Sequence, residues 1–493
     1  MDLKDLLKGL NYKCLLGDDN CEVTEVVNDS RKITPGCLFI CISGYSTDGH
    51  DFAQTAYEQG ARVLVVEKNI LENADYDGER LTVIQVENSR YAMAFISAAY
   101  FNHPAEEMKI IGITGTKGKT TTTYLIKSIL EKAGYKVGLV GTIETIIGEK
   151  HTSASNTTPE SFTLQKTFRE MADAGIEIVV MEVASQGLML HRTQGFTFEI
   201  GIFTNLEPDH ISPTEHKDFE DYRRCKGLLF KQCRLGIVNA DDENLEALLE
   251  GHTCEIETYG LNPSADLFAS DLKLVQKNGE LGIAFRVNGG MNFEVEVPTP
   301  GRFSVYNALT AIAVCRHFEV DVPKIQEALK GAKVRGRIEM VSVSPDFTLL
   351  IDYAHNAMSL KSILTTLREY HPGRLVCLFG CGGNRAKSRR FEMGEVSGNL
   401  ADLTIITSDN PRFEEPMDII ADIKTGISKT QGEYVEIPDR KEAIAYAIKN
   451  GKPGDIIVLA GKGHEDYQEI KGVHYPMDER VLIQEILEEN HLK

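Results

Sequence analysis

The chain has 493 residues, of which 42% are hydrophobic and 26% charged, and its formal net charge is −20. A chain of this length exceeds one ordinary hydrophobic core, so about three domains are expected. The acidic balance argues against general nucleic-acid binding, and the absence of a long apolar run argues against membrane insertion.

Residues 1–106 are predicted to form a small α/β domain, with strands in "CLFICI" (37–42) and "ARVLVVE" (61–67) and a linker in "NHPAEEM" (102–108). From residue 109 the pattern alternates between strand, loop and helix. Short β-branched apolar runs with polar ends predict buried parallel strands in a central domain, residues 107–339. These runs are "KIIGIT" (109–114), "IEIVVMEV" (176–183), "EIGIFTN" (199–205) and "LGIVNA" (235–240).

The pattern of residues 265–297 favours antiparallel strands with a hairpin. A new alternation of strands and helices begins near "VRGRIEMV" (334–341). A third domain, residues 340–493, is predicted from four further apolar runs. These are "TLLIDY" (348–353), "RLVCLFG" (374–380), "LTIITS" (403–408) and "DIIVLAG" (455–461). The expected fold class is therefore α/β with three domains, in which a central P-loop-type parallel sheet precedes a C-terminal Rossmann-like domain. Ligands of such sheets bind at the carboxyl ends of the strands.

A glycine-rich loop, "GITGTKGKTT" (112–121), joins a predicted strand to the predicted helix "KTTTTYLIKSILEKAG" (119–134). Its glycines allow backbone N–H groups to turn toward phosphate oxygens, and the helix N-terminus adds a positive dipole end. Lys119 is placed to reach the terminal phosphates, and the Thr120 hydroxyl to bind Mg²⁺. The loop has the short form GxxGK[ST], because Ile113 stands where the common P-loop has glycine.

The segment "GTKGKTT" (115–121) resembles the P-loop of the Mur ligase family, whose members use ATP to join an amino acid to a carboxylate. The resemblance extends over nearly the whole chain and is strongest to the UDP-N-acetylmuramoyl-tripeptide synthetases. It implies that Asn307, in "GRFSVYNALTA", reads adenine, that Arg337 contacts the nucleotide, and that Asp352 contacts the ribose. The implied ATP-binding residues are Gly115, Thr116, Lys117, Gly118, Lys119, Thr120, Thr121, Asn307, Arg337 and Asp352.

One carboxylate and one imidazole follow strands of the same predicted sheet. They are Glu182 in "VVMEVASQG" and His210 in "FTNLEPDHIS". On the residues alone, Mg²⁺ ligation competes with ordinary core or capping roles. The resemblance implies that Glu182 and His210 hold a second Mg²⁺. It also implies that Lys226, on a helix predicted in residues 216–230, is carbamylated and binds metal, whereas a solvated lysine is the alternative. Lys119, Lys226 and His210 are the implied catalytic residues.

The family likeness further implies contacts to a UDP-linked muramoyl-dipeptide. Among these, Arg192 has a direct chemical reason, because that substrate carries a diphosphate and carboxylates. The implied contacts are Ser30 in "DSRKITPG", Asn156, Thr157 and Thr158 in "SNTTPES", and Ser185 and Arg192. Gln186, Ala357 and Lys117 depart from the usual residues of the family.

The stretch "TSDNPRFEEP" (407–416) follows the predicted strand "LTIIT" and carries one arginine in a proline-containing turn. Alone it predicts a turn with a solvated guanidinium. Its match to the diaminopimelate-adding members of the family implies instead that Arg412 selects the distal carboxylate, for which a planar guanidinium is well suited. The implied pocket is Arg385, Asp409, Asn410, Pro411, Arg412, Gly461 and Glu465.

The resemblance therefore predicts a ligase that uses ATP and Mg²⁺ to add meso-diaminopimelate to the D-Glu γ-carboxylate of UDP-MurNAc-L-Ala-D-Glu through an acyl phosphate. The alternatives are ligation of L-lysine or another amino acid, a folate polyglutamylating ligase, and a non-catalytic nucleotide-binding paralogue, which the departures at Gln186 and Ala357 motivate. The N-terminus lacks a signal-peptide core and the ten cysteines include no CxxC pair. A monomeric cytoplasmic protein with reduced thiols is expected.

Overall fold

The structure, a computed structural model, describes residues 1–44, 47–73, 75–212, 215–277 and 279–489. Its backbone contacts divide the chain into two compact units. The first comprises Met1–Phe268 with Leu309–Ile325, and the second Ala269–Ala308 with Gln326–Lys493. The sheet predicted for residues 1–106 and the phosphate-loop sheet both belong to the first unit. The finer division into three domains at residues 106 and 339 stays a prediction.

The N-terminal part of the first unit is a five-stranded sheet with the strand order β1-β5-β4-β3-β2, in which only β1 runs antiparallel to its neighbour. Its central strand is the predicted apolar run, and all four of its residues are buried. The elements are α1 (Leu3–Leu6), β1 (Tyr12–Leu16), β2 (Val26–Val27), β3 (Leu38–Ile40), α2 (Ala53–Glu58), β4 (Val63–Val66), β5 (Thr82–Val86) and α3 (Ser89–Tyr100).

The central sheet of the first unit contains the phosphate loop. The elements are β6 (Lys109–Thr114), α4 (Lys119–Ala133), β7 (Val137–Val140), β8 (Glu144–Ile147), β9 (Lys150–Ser153), α5 (Ser161–Asp173), β10 (Ile178–Glu182), α6 (Ser185–Met189), β11 (Phe198–Phe203), α7 (Phe219–Gly227), β12 (Cys233–Asn239), α8 (Leu245–Leu248) and β13 (Glu255–Gly260). The order β13-β12-β11-β6-β10-β7 is parallel throughout, and β8 and β9 add an antiparallel edge. The loops after β6, β10 and β11 therefore lie at one edge of the sheet.

The second unit begins within β14 (Leu267–Lys277) and continues through β15 (Glu280–Asn288) and β16 (Phe293–Val297) into α9 (Arg302–Cys315). The chain passes to the first unit within α9 and returns to the second within α10 (Val322–Gly331). β15 and β16 pair antiparallel, which confirms the hairpin prediction for this region. The remaining elements are β17 (Glu339–Val341), β18 (Thr348–Asp352), α11 (Ala357–Arg368), β19 (Leu375–Phe379), α12 (Lys387–Leu400), β20 (Leu403–Ile406), α13 (Pro416–Ile427), β21 (Glu433–Glu436), α14 (Arg440–Lys449), β22 (Ile456–Ala460), β23 (Tyr467–Ile470), β24 (Val473–Pro476) and α15 (Glu479–Glu489).

The C-terminal sheet has the order β17-β18-β22-β19-β20-β21, and only β17 is antiparallel. All five residues of β19 and of β22 are buried, as continuous apolar runs covered by helices on both faces should be. The predicted α/β class and the four predicted strands of this region are confirmed.

The helix predicted in residues 216–230 is shorter than expected, because it spans only Phe219–Gly227. The Asp218 side chain caps its start by accepting a hydrogen bond from the Asp221 N–H. The chain then tightens into a 3₁₀ turn at Leu228–Lys231. Within the described residues, no helix is long and apolar enough to cross a membrane.

Candidate active site

Two glycines shape the loop between β6 and α4. Gly115 has a φ of +145° and Gly118 a φ of +86°, both in the left-handed region that favours glycine. A Cβ atom on Gly115 would lie 1.9 Å from the Thr204 hydroxyl oxygen, so no other residue fits there without rearrangement. Lys119 then begins α4, so the loop lies at the positive end of a helix of fifteen residues.

The end of β11 fixes the loop from one side. The carbonyl oxygen of Lys117 accepts hydrogen bonds from the Thr204 hydroxyl at 2.7 Å and the Asn205 amide at 3.0 Å. The Lys117 ammonium lies 2.6 Å from a Glu207 carboxylate oxygen. Lys117, which departs from the usual residue of the family, therefore has a local ion-pair partner. The backbone of the loop is held by the end of the neighbouring strand.

Lys119 and Thr120 face two different parts of the site. Lys119 Nζ donates to the carbonyl oxygens of Gly115 at 2.8 Å and Thr116 at 3.0 Å, so its charge lies over the loop. The Thr120 hydroxyl lies 3.0 Å from both oxygens of Glu182, which is only 1% exposed at the end of β10. Thr142 adds an N–H at 2.8 Å and a hydroxyl at 3.0 Å to the same carboxylate.

The donor set around Glu182 suits Mg²⁺, because a hydroxyl and a carboxylate supply hard oxygen ligands beside a phosphate loop. The hydrogen bonds from Thr120 and Thr142 to this carboxylate come from neutral hydroxyl and N–H groups, so they do not cancel its negative charge. Thr120 and Glu182 are therefore the residues that could hold the ion. Thr142 is a neighbour of this site that the motifs did not indicate.

Lys226 is buried rather than solvated, with only 2% of its surface exposed. Its Nζ donates to the Gly115 carbonyl oxygen at 2.9 Å and lies 4.4 Å from the centroid of the Tyr222 ring. Burial, reinforced by the charge of Lys119, lowers the pKa of the Lys226 amine well below its usual range. The neutral amine is the form that adds to CO₂, so this environment suits carbamylation.

His210 lies on an exposed loop after β11, with a φ of +57°. Its Nδ1 is 2.9 Å from a Glu215 carboxylate oxygen, and half of the side chain is exposed. Its ring centroid lies 6.0 Å from that of Tyr222, the ring that Lys226 also faces. The structure thus brings His210 toward the Lys226 side of the site, while its imidazole is paired with Glu215.

The predicted substrate loop joins the same hydrogen-bond network. The Thr157 hydroxyl lies 3.1 Å from that of Thr142. The Thr158 hydroxyl donates to the backbone oxygen of Glu182 at 3.0 Å, and Arg192 donates to the Thr158 carbonyl oxygen at 3.0 Å. Asn156 on this loop is exposed. Ser30 begins a 3₁₀ turn in the five-stranded sheet region, capped by the Asp29 side chain.

Ser185 has a partner that no motif indicated. Its hydroxyl oxygen lies 2.8 Å from Nε2 of His216, and His216 Nδ1 lies 3.2 Å from Asp221. The His216 side chain is fully buried, and that burial lowers the pKa of the imidazole despite the opposing effect of Asp221. A neutral imidazole held at both nitrogens fixes the direction of the Ser185 hydroxyl. A lone histidine in "EHKD" carries no local signal for this role.

The second unit holds the remaining nucleotide candidates. Asn307 is buried on α9, with 8% exposure. The Arg337 guanidinium lies 4.5 Å from the centroid of the Tyr353 ring. The Asp352 carboxylate, at the end of β18, accepts backbone hydrogen bonds from Ile338 and Ala354, both at 2.9 Å. Burial raises the pKa of Asp352, and the nearby Arg337 opposes that increase.

The turn after β20 holds its arginine rigidly. Arg412 has a φ of +53°, its Nε donates to Glu469 at 2.9 Å and its Nη1 donates to the Gly383 carbonyl oxygen at 2.8 Å. Both Arg412 and the exposed Arg385 flank Gly382, since a Cβ there would lie 3.2 Å from Arg412 Nη1 and 3.9 Å from Arg385 Cγ. The guanidinium is therefore fixed and partly buried, unlike the solvated side chain of an ordinary turn.

Acidic and amide groups complete this pocket. Asp409 and Asn410 are buried, with 8% and 4% exposure, and Pro411 is buried beside them. The Asn410 amide donates to Glu465 at 2.9 Å. A Cβ on Gly461 would lie 2.8 Å from an Asp409 carboxylate oxygen, so glycine leaves space beside that oxygen. The seven residues predicted as one pocket thus come from the loops after β19, β20 and β22.

The sequence matches three family models in succession. These are "Mur ligase family, catalytic domain" over residues 22–101, "Mur ligase middle domain" over residues 113–315, and "Mur ligase, glutamate ligase domain" over residues 336–463. Together the three matches include the phosphate loop and nearly all of the pocket around Arg412.

Two full-length relatives carry the same name. A UDP-N-acetylmuramoyl-L-alanyl-D-glutamate–2,6-diaminopimelate ligase of Caldanaerobacter subterraneus subsp. tengcongensis is 43% identical, covering 99% of this chain and 100% of the relative. A relative from Clostridium acetobutylicum, which has the same name followed by the number 1, is 44% identical, covering 99% of this chain and 100% of the relative.

Solved structures show the same fold. A solved structure of a ligase with that name has a TM-score of 0.72 at 27% identity, covering 100% of this chain and 99% of the other. The MurF ligase from Thermotoga maritima, solved in complex with ADP, has a TM-score of 0.61 at 18% identity, covering 95% and 98%.

Proposed function

The chain belongs to the Mur ligase family, and we propose that it joins meso-diaminopimelate to the D-Glu γ-carboxylate of UDP-MurNAc-L-Ala-D-Glu with conversion of ATP to ADP and phosphate. The relatives that carry this activity in their names match over essentially the full length of the chain. The observation that carries the choice of amino acid is the Arg412 guanidinium, held between Glu469 and Gly383 beside Asp409, Asn410 and Glu465.

The phosphate loop performs the first half of the reaction. Its backbone and Lys119 bind the ATP phosphates, and Lys119 neutralises the charge that develops as the γ-phosphoryl group transfers to the substrate carboxylate. Mg²⁺ ions, for which Thr120, Glu182, His210 and carbamylated Lys226 are the proposed ligands, would supply additional neutralisation of phosphate charge. Asn307 reads the adenine, Arg337 contacts the nucleotide and Asp352 contacts the ribose. The chain's own contribution is therefore mainly positioning and electrostatics.

The second half joins the amino acid. The acyl phosphate formed on the D-Glu carboxylate is attacked by the free amine of diaminopimelate, an N–C bond forms, phosphate leaves, and the amine loses its proton. The pocket of the second unit orients the amino acid by placing opposite charges against its carboxylate and ammonium groups. Arg412 and Arg385 bind the distal carboxylate, and Asp409, Asn410 and Glu465 bind the ammonium group.

The UDP-linked substrate is assigned to the first unit. Ser30 binds the UDP part, and Asn156, Thr157, Thr158, Ser185 and Arg192 bind the muramoyl-dipeptide. The support is that Thr158, Arg192 and Glu182 already form one network beside the phosphate loop. We also propose that the enzyme acts as a monomer in the cytoplasm, in keeping with the ten free cysteines of the chain.

One assay separates this function from its alternatives. Purified protein is given ATP, Mg²⁺ and either UDP-MurNAc-L-Ala-D-Glu or a folate substrate, and ADP release is measured across a panel of amino acids. ADP release that requires meso-diaminopimelate supports the proposal. A preference for L-lysine would overturn the amino-acid assignment, release only with a folate substrate would indicate a polyglutamylating ligase, and no release with any combination would indicate a non-catalytic paralogue.

A further inference from the structure

Lys462 is a fully buried lysine inside the proposed amino-acid pocket, in the loop that follows β22. Its side chain has 0% exposure. The three N–H groups of its ammonium have three acceptors: Asn410 Oδ1 at 2.9 Å, Glu465 Oε2 at 2.6 Å and the Tyr467 carbonyl oxygen at 2.6 Å. The hydrogen-bonding capacity of a lysine is used up by these contacts, so its ammonium is committed to the protein.

Two of the three acceptors belong to residues assigned to the amino acid. Asn410 Oδ1 accepts from Lys462 and also from the backbone N–H of Glu469 at 2.9 Å. The Nδ2 of Asn410 donates to Glu465 Oε2 at 2.9 Å. Turning this amide over would place its NH₂ group against two other donors and its oxygen against a carboxylate. Lys462 therefore fixes which end of the Asn410 amide points in each direction.

The two oxygens of the Glu465 carboxylate have different partners. Oε2 accepts from Lys462 and from Asn410. Oε1 lies 3.4 Å from the Tyr353 hydroxyl, a long contact that leaves it lone-pair capacity for the ammonium of an incoming amino acid. With Oε2 held at two points, the rotation of the carboxylate is fixed before any ligand arrives.

We propose that Lys462 is a positioning residue for the amino-acid substrate, acting through Asn410 and Glu465 without touching the substrate. The inference rests on the proposed function, because it assumes that these two side chains bind the amino acid. Preorganisation of this kind lowers the cost of binding, since the groups are already held in their bound arrangement. A lysine that served only to stabilise the fold would affect unfolding but not selectively the binding of one substrate.

The test compares the buried Lys462, which follows β22, with the partly buried Arg374, which precedes β19 and whose partner Asp455 precedes β22. Lys462→Met removes the ammonium while keeping the length of the side chain. Arg374→Met is the matched control, because Arg374 pairs at 2.6 Å with the buried Asp455 just before β22 begins, away from the pocket. Melting temperature and the KM values for ATP, the UDP-dipeptide and meso-diaminopimelate are measured for each variant.

Lys462→Met is expected to raise the KM for diaminopimelate by about 30-fold or more, while the KM values for ATP and the UDP-dipeptide stay within about twofold. Arg374→Met is expected to lower the melting temperature without this selective change. The double variant Lys462→Met/Asn410→Ala should lose little more than the larger single loss, because both act through the same contacts.

An unchanged or lower KM for diaminopimelate in Lys462→Met, or an equal rise in all three KM values, would overturn the positioning role. If the methionine variant does not fold, Lys462→Gln, which keeps a donor, is measured by the same criterion. Activity of the wild type distinguishes failure of the Lys462 proposal from failure of the proposed function. A wild type that does not use diaminopimelate refutes the function itself. An active wild type with an unaffected Lys462→Met variant refutes only the role of Lys462.

Discussion

Lys226 Nζ donates a 2.9 Å hydrogen bond to the carbonyl oxygen of Gly115, so a buried amine from α7 contacts a glycine of the phosphate loop. The residues are 111 positions apart in the chain. Since burial and Lys119 favour the neutral form of this amine, the contact places a CO₂-reactive group beside the loop that binds phosphate. The prediction for Lys226 follows from this arrangement.

Lys226→Ala should be nearly inactive, because it removes both the amine and the carbamate that would bind Mg²⁺. A small added carboxylate should partly restore ADP release by standing in for the carbamate, whereas the exposed Lys231→Ala control should behave as the wild type. Activity should also fall in CO₂-depleted buffer and return when bicarbonate is added. Full activity of the wild type after careful CO₂ removal would show that carbamylation is not required.

Lys119→Ala should reduce ADP release by about 100-fold or more, the usual loss when one preorganised group that stabilises transition-state charge is removed. Lys127, on the same helix but paired with Glu131 at 2.6 Å, provides the control Lys127→Ala, which should retain activity. Circular dichroism and melting temperature establish that both variants are folded. Near wild-type ADP release by folded Lys119→Ala would refute the assignment of the phosphate loop.

Arg412→Ala should reduce kcat/KM for meso-diaminopimelate by an amount corresponding to roughly 2–5 kcal/mol, because the distal carboxylate would lose the fixed guanidinium and keep only the exposed Arg385. Its KM for ATP should barely change. Arg368→Ala, which removes a surface arginine paired with Asp402, is the control for loss of an arginine in the same unit. Normal diaminopimelate kinetics in Arg412→Ala would mean that the turn after β20 does not select the diacid.

His216→Ala should raise the KM for the UDP-dipeptide by about tenfold, because the Ser185 hydroxyl loses the partner that orients it. The KM for ATP should be unaffected. The control is His317→Ala, which removes another histidine of the first unit, one paired with Glu257; it should not selectively raise the KM for the UDP-dipeptide. Combining His216→Ala with Ser185→Ala should add little to the single losses. Fully multiplicative losses would show that the two residues act independently.

The stability of the second unit should depend on His464 below about pH 6.5, the usual pKa of a histidine. Burial, together with the charges of Arg337, Arg335 and Arg480, lowers the pKa of His464 to about 3 in the folded state. Between these two values the unfolded chain binds a proton that the folded chain does not, so the free energy of unfolding falls as the pH falls.

His464→Asn should flatten this pH dependence. The comparison is the urea midpoint of wild type and variant at pH 7.5 and at pH 5. The wild type should lose more stability than the variant between these two conditions. Equal losses would show that the folded-state pKa of His464 is not lowered.

Much of the architecture was predictable from local patterns. Continuous apolar runs predicted the parallel strands β6, β10, β11 and β12, because a strand buried on both faces requires apolar side chains at every position. Gly115 and Gly118 predicted the phosphate loop, since only glycine readily adopts the left-handed conformations found there. The position of Glu182 at the end of a buried strand was likewise readable from its neighbours in the sequence.

Tertiary structure decided which side chains are buried and what they contact. Lys226 and Lys462 read as ordinary lysines in the sequence, yet both are buried, because helices and loops distant in the chain close over them. The contact of His216 with Ser185 spans 31 residues and that of Lys462 with Asn410 spans 52. No local periodicity encodes such pairs, because burial and hydrogen-bond partners depend on how separate elements pack. The sequence determined the strands and the glycine loop, and packing determined the charge states and orientations of the groups around them.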